Sequence, residues 1–395
     1  MTVPVVLDAA ARLALFPAMD SLVYLNTGSA GPLLAPVEQI MTDSLRHELH
    51  HGRADNTSWV AFLDSRTALR DLLGNLVGAD GSEIVLTHHT TEGLNIVLWG
   101  IDWKPGDRIA ITSLEHDAGI AAVQALAKRH DLVVDVIEVG MGATAEVLAG
   151  LTEALEKKPR LLLASHVAYA TGAVLPIAAM VEAAHAAGTA VLVDGAQAVG
   201  AIEVDVAALG ADFYSFNGYK WLCGPEGSGG LVVSEGWHER LLPSHGGAFG
   251  IVGSTLRIDD VHHAEPAPGA ARYESGSWFR PQLVGLAAAV EWFSELTENG
   301  GGAPTVAAMA ELAASRLADE LGAVIHTPVN ETRSGLVAFT LPGRVASEVS
   351  AALEGESIII RSTPIGHLRV SCAAFTTPDD IAALIAALAL PTGTR

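Results

Sequence analysis

Lys220 is the residue whose surroundings are most suggestive of chemistry. It lies among the aromatic side chains of the segment 213–221 and precedes a glycine-rich stretch from Gly224 to Gly230. An apolar environment disfavours a charged ammonium group, so the pKa of this lysine should fall and its free amine should attack a carbonyl readily. Most lysines lie at the protein surface, so the motif gains its weight from the residues that precede it.

A carboxylate, Asp194, follows the apolar run 189–193 and comes directly before a glycine. Ligands of parallel α/β sheets bind outside the carboxyl ends of the strands, which would place Asp194 against a ligand. A carboxylate opposite a pyridine nitrogen keeps that nitrogen protonated, which makes pyridoxal 5'-phosphate (PLP) an electron sink. An Asp before Gly is also common in turns and helix caps. The presence of Lys220 downstream favours the cofactor interpretation.

Two further motifs follow predicted strands. Thr90 and Thr91 come after the strand-like run 83–87 and open an apolar helical pattern, so they would form a phosphate cradle or a simple helix cap. His116 comes after the run 108–112, where an imidazole would stack on a flat ring or remain an ordinary loop histidine. Both interpretations stay open on these residues alone.

The elements that must position these residues alternate along the chain. Strand-like runs separated by alanine-rich helical stretches occur at 83–87, 108–112, 132–138, 160–165, 189–194 and 211–216. This alternation predicts an α/β fold with a mainly parallel sheet between helices. Further helices are predicted at 281–296, 305–321 and 378–389. The region 243–275 lacks periodicity, which is typical of a long functional or intersubunit loop.

Composition narrows the class of protein. The chain has 395 residues, half of them hydrophobic, which is long enough for two domains. Its 45 acidic and 23 basic residues give a net charge of -22, which argues against nucleic acid or an anionic membrane as a partner. The two cysteines, Cys223 and Cys372, indicate no disulfide framework and favour a reducing cytoplasm. Neither a secretory signal nor a membrane span is expected.

The order of four motifs resembles the class V aminotransferase group of fold-type I PLP enzymes, which includes cysteine desulfurases, isopenicillin N epimerase and cystine C-S lyases. The motifs are Thr90-Thr91-Glu92-Gly93, Glu115-His116, Val193-Asp194-Gly195-Ala196-Gln197 and the run 218–227. The resemblance covers nearly the whole chain and is greatest to the lyase and epimerase branches. It implies a seven-stranded large PLP domain at 26–275, a connecting helix and smaller α+β domain at 276–395, and an N-terminal segment, 1–25, packed on the smaller domain.

The resemblance also implies roles around the cofactor ring. Lys220 would form the Schiff base with PLP and shuttle the α-proton of the substrate. Asp194 would pair with the ring nitrogen, Gln197 would bond the ring hydroxyl, and His116 would stack on the ring.

The same resemblance implies a phosphate cradle and a shared site. Thr91, with Thr90 nearby, would hold the phosphate. Asn217 and Tyr219 occupy positions where relatives often carry Ser or Thr and His. Ser277 matches a hydroxyl that crosses to the partner's phosphate, which implies a homodimer with shared active sites.

Substrate contacts are expected from four residues. Arg369 matches the arginine that grips the substrate carboxylate in a bidentate fork, and Arg361 is a second candidate for an anionic group. Tyr169 replaces an asparagine of the desulfurases, which points toward the lyase-like branch. Ala30, in the turn from Asn26 to Gly31, should line the substrate pocket.

The chain lacks a feature that cysteine desulfurases need. Their mobile thiol belongs on the loop that corresponds to 362–367, and this loop contains no cysteine. Cys372 is expected to be a buried structural thiol, and Cys223 follows Lys220 too closely to swing freely. Paired histidines such as His88 and His89 show no zinc-ligand spacing, so no metal is expected.

The leading hypothesis is a PLP-dependent lyase that β-eliminates a sulfur leaving group from cystine or an S-substituted cysteine, giving pyruvate and ammonia. Transamination or epimerisation is the alternative, since both begin with removal of the same α-proton. A catalytically silent PLP fold that serves as a binding protein is a third, remote hypothesis.

Overall fold

The structure, a computed structural model, describes residues 7–253, 257, 259 and 264–390. Its strands are β1 Val23–Tyr24, β2 Ile84–Thr87, β3 Arg108–Thr112, β4 Val133–Ile137, β5 Leu161–Ser165, β6 Ala190–Asp194, β7 Phe213–Asn217, β8 Gly229–Val233, β9 Val324–Ile325, β10 Leu336–Thr340, β11 Ile358–Ile359, β12 Arg361–Ser362 and β13 Leu368–Ser371. Its helices are α1 Ala9–Leu15, α2 Ala35–His51, α3 Asn56–Val77, α4 Thr90–Gly100, α5 Asp117–His130, α6 Thr144–Glu156, α7 Ile177–Ala186, α8 Val206–Leu209, α9 Arg280–Glu298, α10 Ala303–Leu321, α11 Ala346–Gly355 and α12 Pro378–Ala389.

The large sheet has seven strands in the order β2-β8-β7-β6-β5-β3-β4. Strands β4, β3, β5, β6 and β7 run parallel to one another, whereas β8 runs antiparallel to both β7 and β2. Every residue of β5, β6 and β7 is buried, because helices cover both faces of the sheet. The predicted mainly parallel α/β fold is confirmed, and each predicted strand overlaps an observed one.

Strand β8 was not predicted, because its glycines indicated a turn. Their function is close packing: a Cβ on Gly229 would lie 2.4 Å from the carbonyl oxygen of Phe216, and one on Gly230 would lie 2.5 Å from the Phe216 ring. Glycine in a strand often marks such an approach of another chain segment. The end of the glycine-rich stretch is therefore a strand, paired between β2 and β7, and not a loop.

A smaller sheet, in the order β12-β13-β10-β9, packs with helices α10, α11 and α12. The N-terminal residues contact this unit, since β1 pairs with β11 and Leu25 is buried in the same apolar core. Arg12 also forms an ion pair with Asp380 at 2.8 Å. These contacts bring the turn that follows β1 to the junction of the two sheets.

The predicted irregular region 243–275 is only partly described. Residues 254–256, 258 and 260–263 lie outside the described residues. They include His262 and His263, another of the histidine pairs considered as metal ligands. The end of this region forms a 3-10 turn, 269–273, after which Glu274 is buried. Of the helices that the structure describes, none combines the length and the apolar character required to cross a membrane.

Candidate active site

The carboxyl ends of the central strands form one cleft. Ser165 ends β5 and Asp194 ends β6, and the two residues are paired across the parallel strands. Helix α4 begins at the same edge of the sheet, with Thr90 as its first residue. A parallel sheet collects its polar strand ends in this way, because every strand points in the same direction.

Eight of the residues singled out in the sequence line this cleft. Those expected around the ring are His116, Asp194, Gln197 and Lys220. Those expected near the phosphate or the substrate are Thr90, Thr91, Tyr169 and Tyr219.

Lys220 enters the cleft from the turn after β7. Its backbone N–H donates to the side-chain oxygen of Asn217 at 3.2 Å, and its carbonyl accepts from the N–H of Cys223 at 3.1 Å, so both sides of its peptide are fixed. Burial lowers the pKa of Lys220 to about 8, although the charge of Asp194 opposes this effect. About a tenth of the amine is therefore uncharged at pH 7 and able to attack a carbonyl, far more than for an ordinary lysine.

Asp194 lines the same cleft and is 7% exposed. Its Oδ1 accepts from the N–H of Ala196 at 2.9 Å, and Oδ2 has no donor among the described residues. Burial raises the pKa of Asp194, partly offset by that N–H and by the charges of Lys220 and His116. A cation placed against Oδ2 would bring this pKa down and keep the carboxyl group ionised.

Gln197 is held on both sides of its amide. Its nitrogen donates to the carbonyl of Gly28 at 2.7 Å, and its oxygen accepts from the indole N–H of Trp221 at 3.0 Å. The amide still has a second hydrogen to donate. Its orientation is therefore set before any ligand arrives.

The first turn of α4 supplies donors at the other end of the cleft. His89 caps the helix and accepts from the N–H of Glu92 at 3.0 Å. The hydroxyl of Thr91 has no hydrogen-bond partner within the described part of the chain, and a helix N-terminus favours anions. Asn217, by contrast, donates to the hydroxyl of Thr90 at 3.1 Å and to the carbonyl of Ala196 at 3.2 Å. It therefore holds Thr90 in place and does not itself line the cleft.

His116 is the N-cap of α5, and its Nδ1 accepts from the N–H of Ala118 at 3.1 Å. Its neutral ring consequently carries its proton on Nε2. Burial and the charge of Lys220 lower the pKa of His116, which favours this neutral form. Tyr169 packs edge-to-face on the imidazole, with ring centroids 4.7 Å apart.

Two arginines of the smaller sheet converge on one hydroxyl. Arg369, 1% exposed, donates to the carbonyl of Tyr169 at 2.7 Å and to the hydroxyl of Ser29 at 3.4 Å. Its Nε has no partner among the residues that the structure describes. Arg361 is exposed and donates to the same hydroxyl at 3.0 Å. Both charges act on Lys220 and lower its pKa. Ala30 follows Ser29, and its carbonyl accepts from Tyr24 at 2.9 Å.

Ser277 lies apart from the cleft of its own chain. It is exposed and lines a separate cavity with Trp59, Phe249 and Arg280. Ser277 therefore does not contact the cofactor cleft of its own chain, and its expected contact across a dimer interface remains a prediction.

Three residues near the cleft were given no role of their own in the sequence analysis. Ser29 lies where the two arginines meet, Ser165 lines the cleft beside Asp194, and Glu115 bonds Ser165 from behind. The available signals were weak: Ser165 ends a predicted strand, and Glu115 directly precedes His116.

The residues present fit the PLP expected from the sequence. The cleft is lined by the amine of Lys220, by a carboxylate oxygen of Asp194 and by the first residues of helix α4. Neither the amine nor this oxygen has a hydrogen-bond partner among the described residues. This donor set matches an aldehyde, a ring nitrogen and a phosphate.

The chain matches known proteins along most of its length. The family model described as Aminotransferase class-V matches residues 23–384. The chain is 36% identical over 283 residues to a cysteine desulfurase of Escherichia coli O17:K52:H18, covering 71% of this chain and 68% of that protein. It is 32% identical over 337 residues to the "Probable cysteine desulfurase" of Mycolicibacterium paratuberculosis, covering 82% of this chain but only 47% of that relative, so it spans about half of that protein's length.

Solved structures share the fold. The complex of the cystine C-S lyase C-DES with its reaction product cysteine persulfide superposes with a TM-score of 0.88 and 28% identity, covering 94% of this chain and 98% of that chain. A lysine-to-alanine mutant of C-DES with glycine covalently linked to its PLP cofactor gives a TM-score of 0.86, 28% identity and coverage of 95% and 98%. The chain therefore belongs to the class-V aminotransferase family of fold-type I PLP-dependent enzymes.

Proposed function

We propose that this enzyme removes the α-proton of a sulfur-containing amino acid and β-eliminates the sulfur group, acting on cystine or an S-substituted cysteine. The C–S bond breaks, the sulfur leaves as a persulfide or thiol, and the remaining three-carbon unit is hydrolysed to pyruvate and ammonia. When bound, PLP supplies an electrophilic aldehyde and a ring that accepts electrons. The cystine lyase activity named for C-DES supports this choice.

Placement of the thiols carries the proposal. Cys223 is fully buried, and burial raises its pKa far above the ordinary range. Cys372 is also fully buried, and burial raises its pKa to about 12. A persulfide-forming enzyme needs an accessible thiolate. Neither cysteine meets this requirement, which favours elimination over the desulfurase reaction named for the sequence relatives.

The side chains have complementary roles in this reaction. Lys220 would hold PLP, and its free Nζ would take the α-proton of the substrate. Asp194 would keep the proton on the ring nitrogen, Gln197 would donate its spare hydrogen to the ring oxygen, and His116 would cover the ring face. Thr91 binds the phosphate with the N-terminus of α4.

Substrate selection is assigned to the arginine side of the cleft. Arg369 binds the α-carboxylate, and Arg361, at its exposed position, reaches a second anionic group. Tyr169 closes the pocket above the imidazole of His116, and Ala30 borders it. Two cations suit a substrate with two carboxylates, such as cystine.

A homodimer would complete the phosphate site with Ser277. Helices α2 and α3 present large apolar side chains to solvent, among them Leu49 at 78% and Trp59 at 44% exposure, and Phe279 beside Ser277 is 50% exposed. An apolar face of this kind marks a protein interface. Arg66 and Arg70 of α3 both bond the buried carboxylate of Glu274, which fixes the segment leading to Ser277.

Two further proposals concern the location of the enzyme in the cell and its division into domains. We place the enzyme in the cytoplasm, since its two cysteines are free thiols. We also propose that residues 26–275 and 276–395 act as a large and a small domain, with 1–25 belonging to the small one.

A product analysis tests the reaction. The holoenzyme is incubated with cystine, S-substituted cysteines and cysteine, and pyruvate, ammonia, alanine and sulfur products are measured. Pyruvate with equimolar ammonia is expected. Alanine with a protein-bound persulfide would identify a desulfurase, amino transfer to an added keto acid would identify a transaminase, and either result would refute elimination. As a matched control, a Cys223→Ser, Cys372→Ser variant should keep pyruvate formation.

A further inference from the structure

Glu115 is a buried carboxyl group for which the proposed reaction has no use. It lies between β3 and His116 and is 3% exposed. Its Oε1 accepts from the hydroxyl of Thr112 at 2.5 Å and from the N–H of Ser165 at 2.9 Å, and its Oε2 accepts from the hydroxyl of Ser165 at 2.8 Å. One side chain thus joins the carboxyl ends of two neighbouring strands.

The tie reaches two residues of the cofactor cleft, Ser165 directly and His116 as the next residue in the chain. Ser165 lines the cleft and is paired with Asp194 in the adjacent strand. His116, the next residue after Glu115, is the N-cap of helix α5 and lines the same cleft. Movement of the Glu115 carboxyl would therefore displace the imidazole relative to Asp194.

The contacts of Glu115 differ from those of a structural ion pair. Its three hydrogen bonds come from neutral donors, and the charge acting on it is that of Asp194 in β6, which in turn faces Lys220 and His116. Burial raises the pKa of Glu115 to about 7, and the Asp194 charge adds to this effect. Two buried acids side by side are costly, so a purely structural tie would be better made with neutral groups.

We propose that Glu115 is a positioning residue for PLP, which holds the His116 loop and Asp194 at a fixed separation through Ser165. This role rests on the proposed function, in which His116 covers the ring and Asp194 meets its nitrogen. The acceptor character of the side chain is essential, because the buried N–H of Ser165 would otherwise lose its partner.

Three variants test this role by cofactor binding and not by turnover alone. Glu115→Ala removes the tie, and Glu115→Gln keeps one acceptor for the Ser165 N–H. Asp380→Ala is the matched control, since it deletes another buried carboxyl group, bonded to Thr377 and Arg12 in the small sheet unit. The dissociation constant of PLP, the visible circular dichroism of the bound cofactor and the melting temperature of the holoenzyme are measured for each.

Glu115→Ala is expected to weaken PLP binding about tenfold, or about 1.4 kcal/mol, and to alter the visible circular dichroism. Glu115→Gln should remain near wild type in both. Asp380→Ala should lower the melting temperature and leave both cofactor signals unchanged. If Glu115→Ala changed only the melting temperature, as the control does, the positioning role would be refuted.

Ser165→Ala provides a second route if the alanine variant of Glu115 does not fold. It keeps the backbone N–H bond and removes only the hydroxyl link, so PLP binding should weaken in the same direction by a smaller factor. An unchanged dissociation constant and an unchanged dichroism spectrum would overturn the role of Glu115. The proposed function fails separately: it would be refuted by a reduced cofactor adduct outside Lys220, whereas an adduct on Lys220 with normal binding by Glu115→Ala refutes only the positioning role.

Discussion

Replacement of Glu115 by Gln should change how stability depends on pH. In the cofactor-free protein, burial and Asp194 raise the pKa of Glu115 from 4.5 to about 7. The folded state then holds a proton that the unfolded state releases between these two pH values. The stability from this proton is fully present below pH 4.5 and is lost as the pH rises to about 7. At about 1.4 kcal/mol per pH unit, the full loss is about 3 kcal/mol.

Glutamine cannot ionise, so the Glu115→Gln variant lacks this loss. The free energy of unfolding of the variant relative to wild type should therefore increase by up to about 3 kcal/mol from pH 4.5 to 7 and stay level above pH 8. Denaturant titrations of both cofactor-free proteins at several pH values measure this difference, in which the titrating groups that do not interact with Glu115 cancel. A flat difference, or one that falls with pH, would refute the assigned burial and the coupling to Asp194.

Three other substitutions give expected outcomes. Gly31→Ala should reduce kcat/KM about fivefold or more, because the new Cβ would lie 2.1 Å from the Lys220 carbonyl oxygen and overpacking of this kind costs about 1–3 kcal/mol; normal turnover would contradict the close approach. Arg369→Lys should raise KM more than it lowers kcat, since one ammonium cannot reproduce the fork; an unchanged KM for cystine would exclude the carboxylate role. Asp194→Asn should lower the pKa of Lys220 further, because the Asp194 charge now raises it; a higher apparent pKa in the pH profile of cofactor attachment would be inconsistent with this pairing.

The sequence located the cleft because its residues occupy positions that a parallel sheet brings together. Lys220, Asp194 and His116 each follow an apolar run, and such runs end at one edge of the sheet. The mainly parallel fold was predicted for the same reason. The family match confirms the class and the PLP chemistry, whereas the individual residue roles remain predictions.

Features formed by contacts between distant segments could not be predicted. Ser29 gains its position because the turn after β1 reaches two arginines more than three hundred residues away in the chain. Glu115 is held by hydrogen bonds from Ser165, which lies fifty residues further along the chain at the end of β5. Strand β8 was missed because glycine indicates a turn locally, whereas here it permits contact with Phe216. Local pattern carries no information on such packing.

The central claim is that Lys220 carries the cofactor. Borohydride reduction of the PLP-loaded enzyme, followed by proteolysis and mass spectrometry of the peptides, tests it most directly. The reduced adduct is expected on Lys220 alone and should disappear in the Lys220→Ala variant. An adduct on another lysine, or none in an enzyme that still turns over its substrate, would contradict this account.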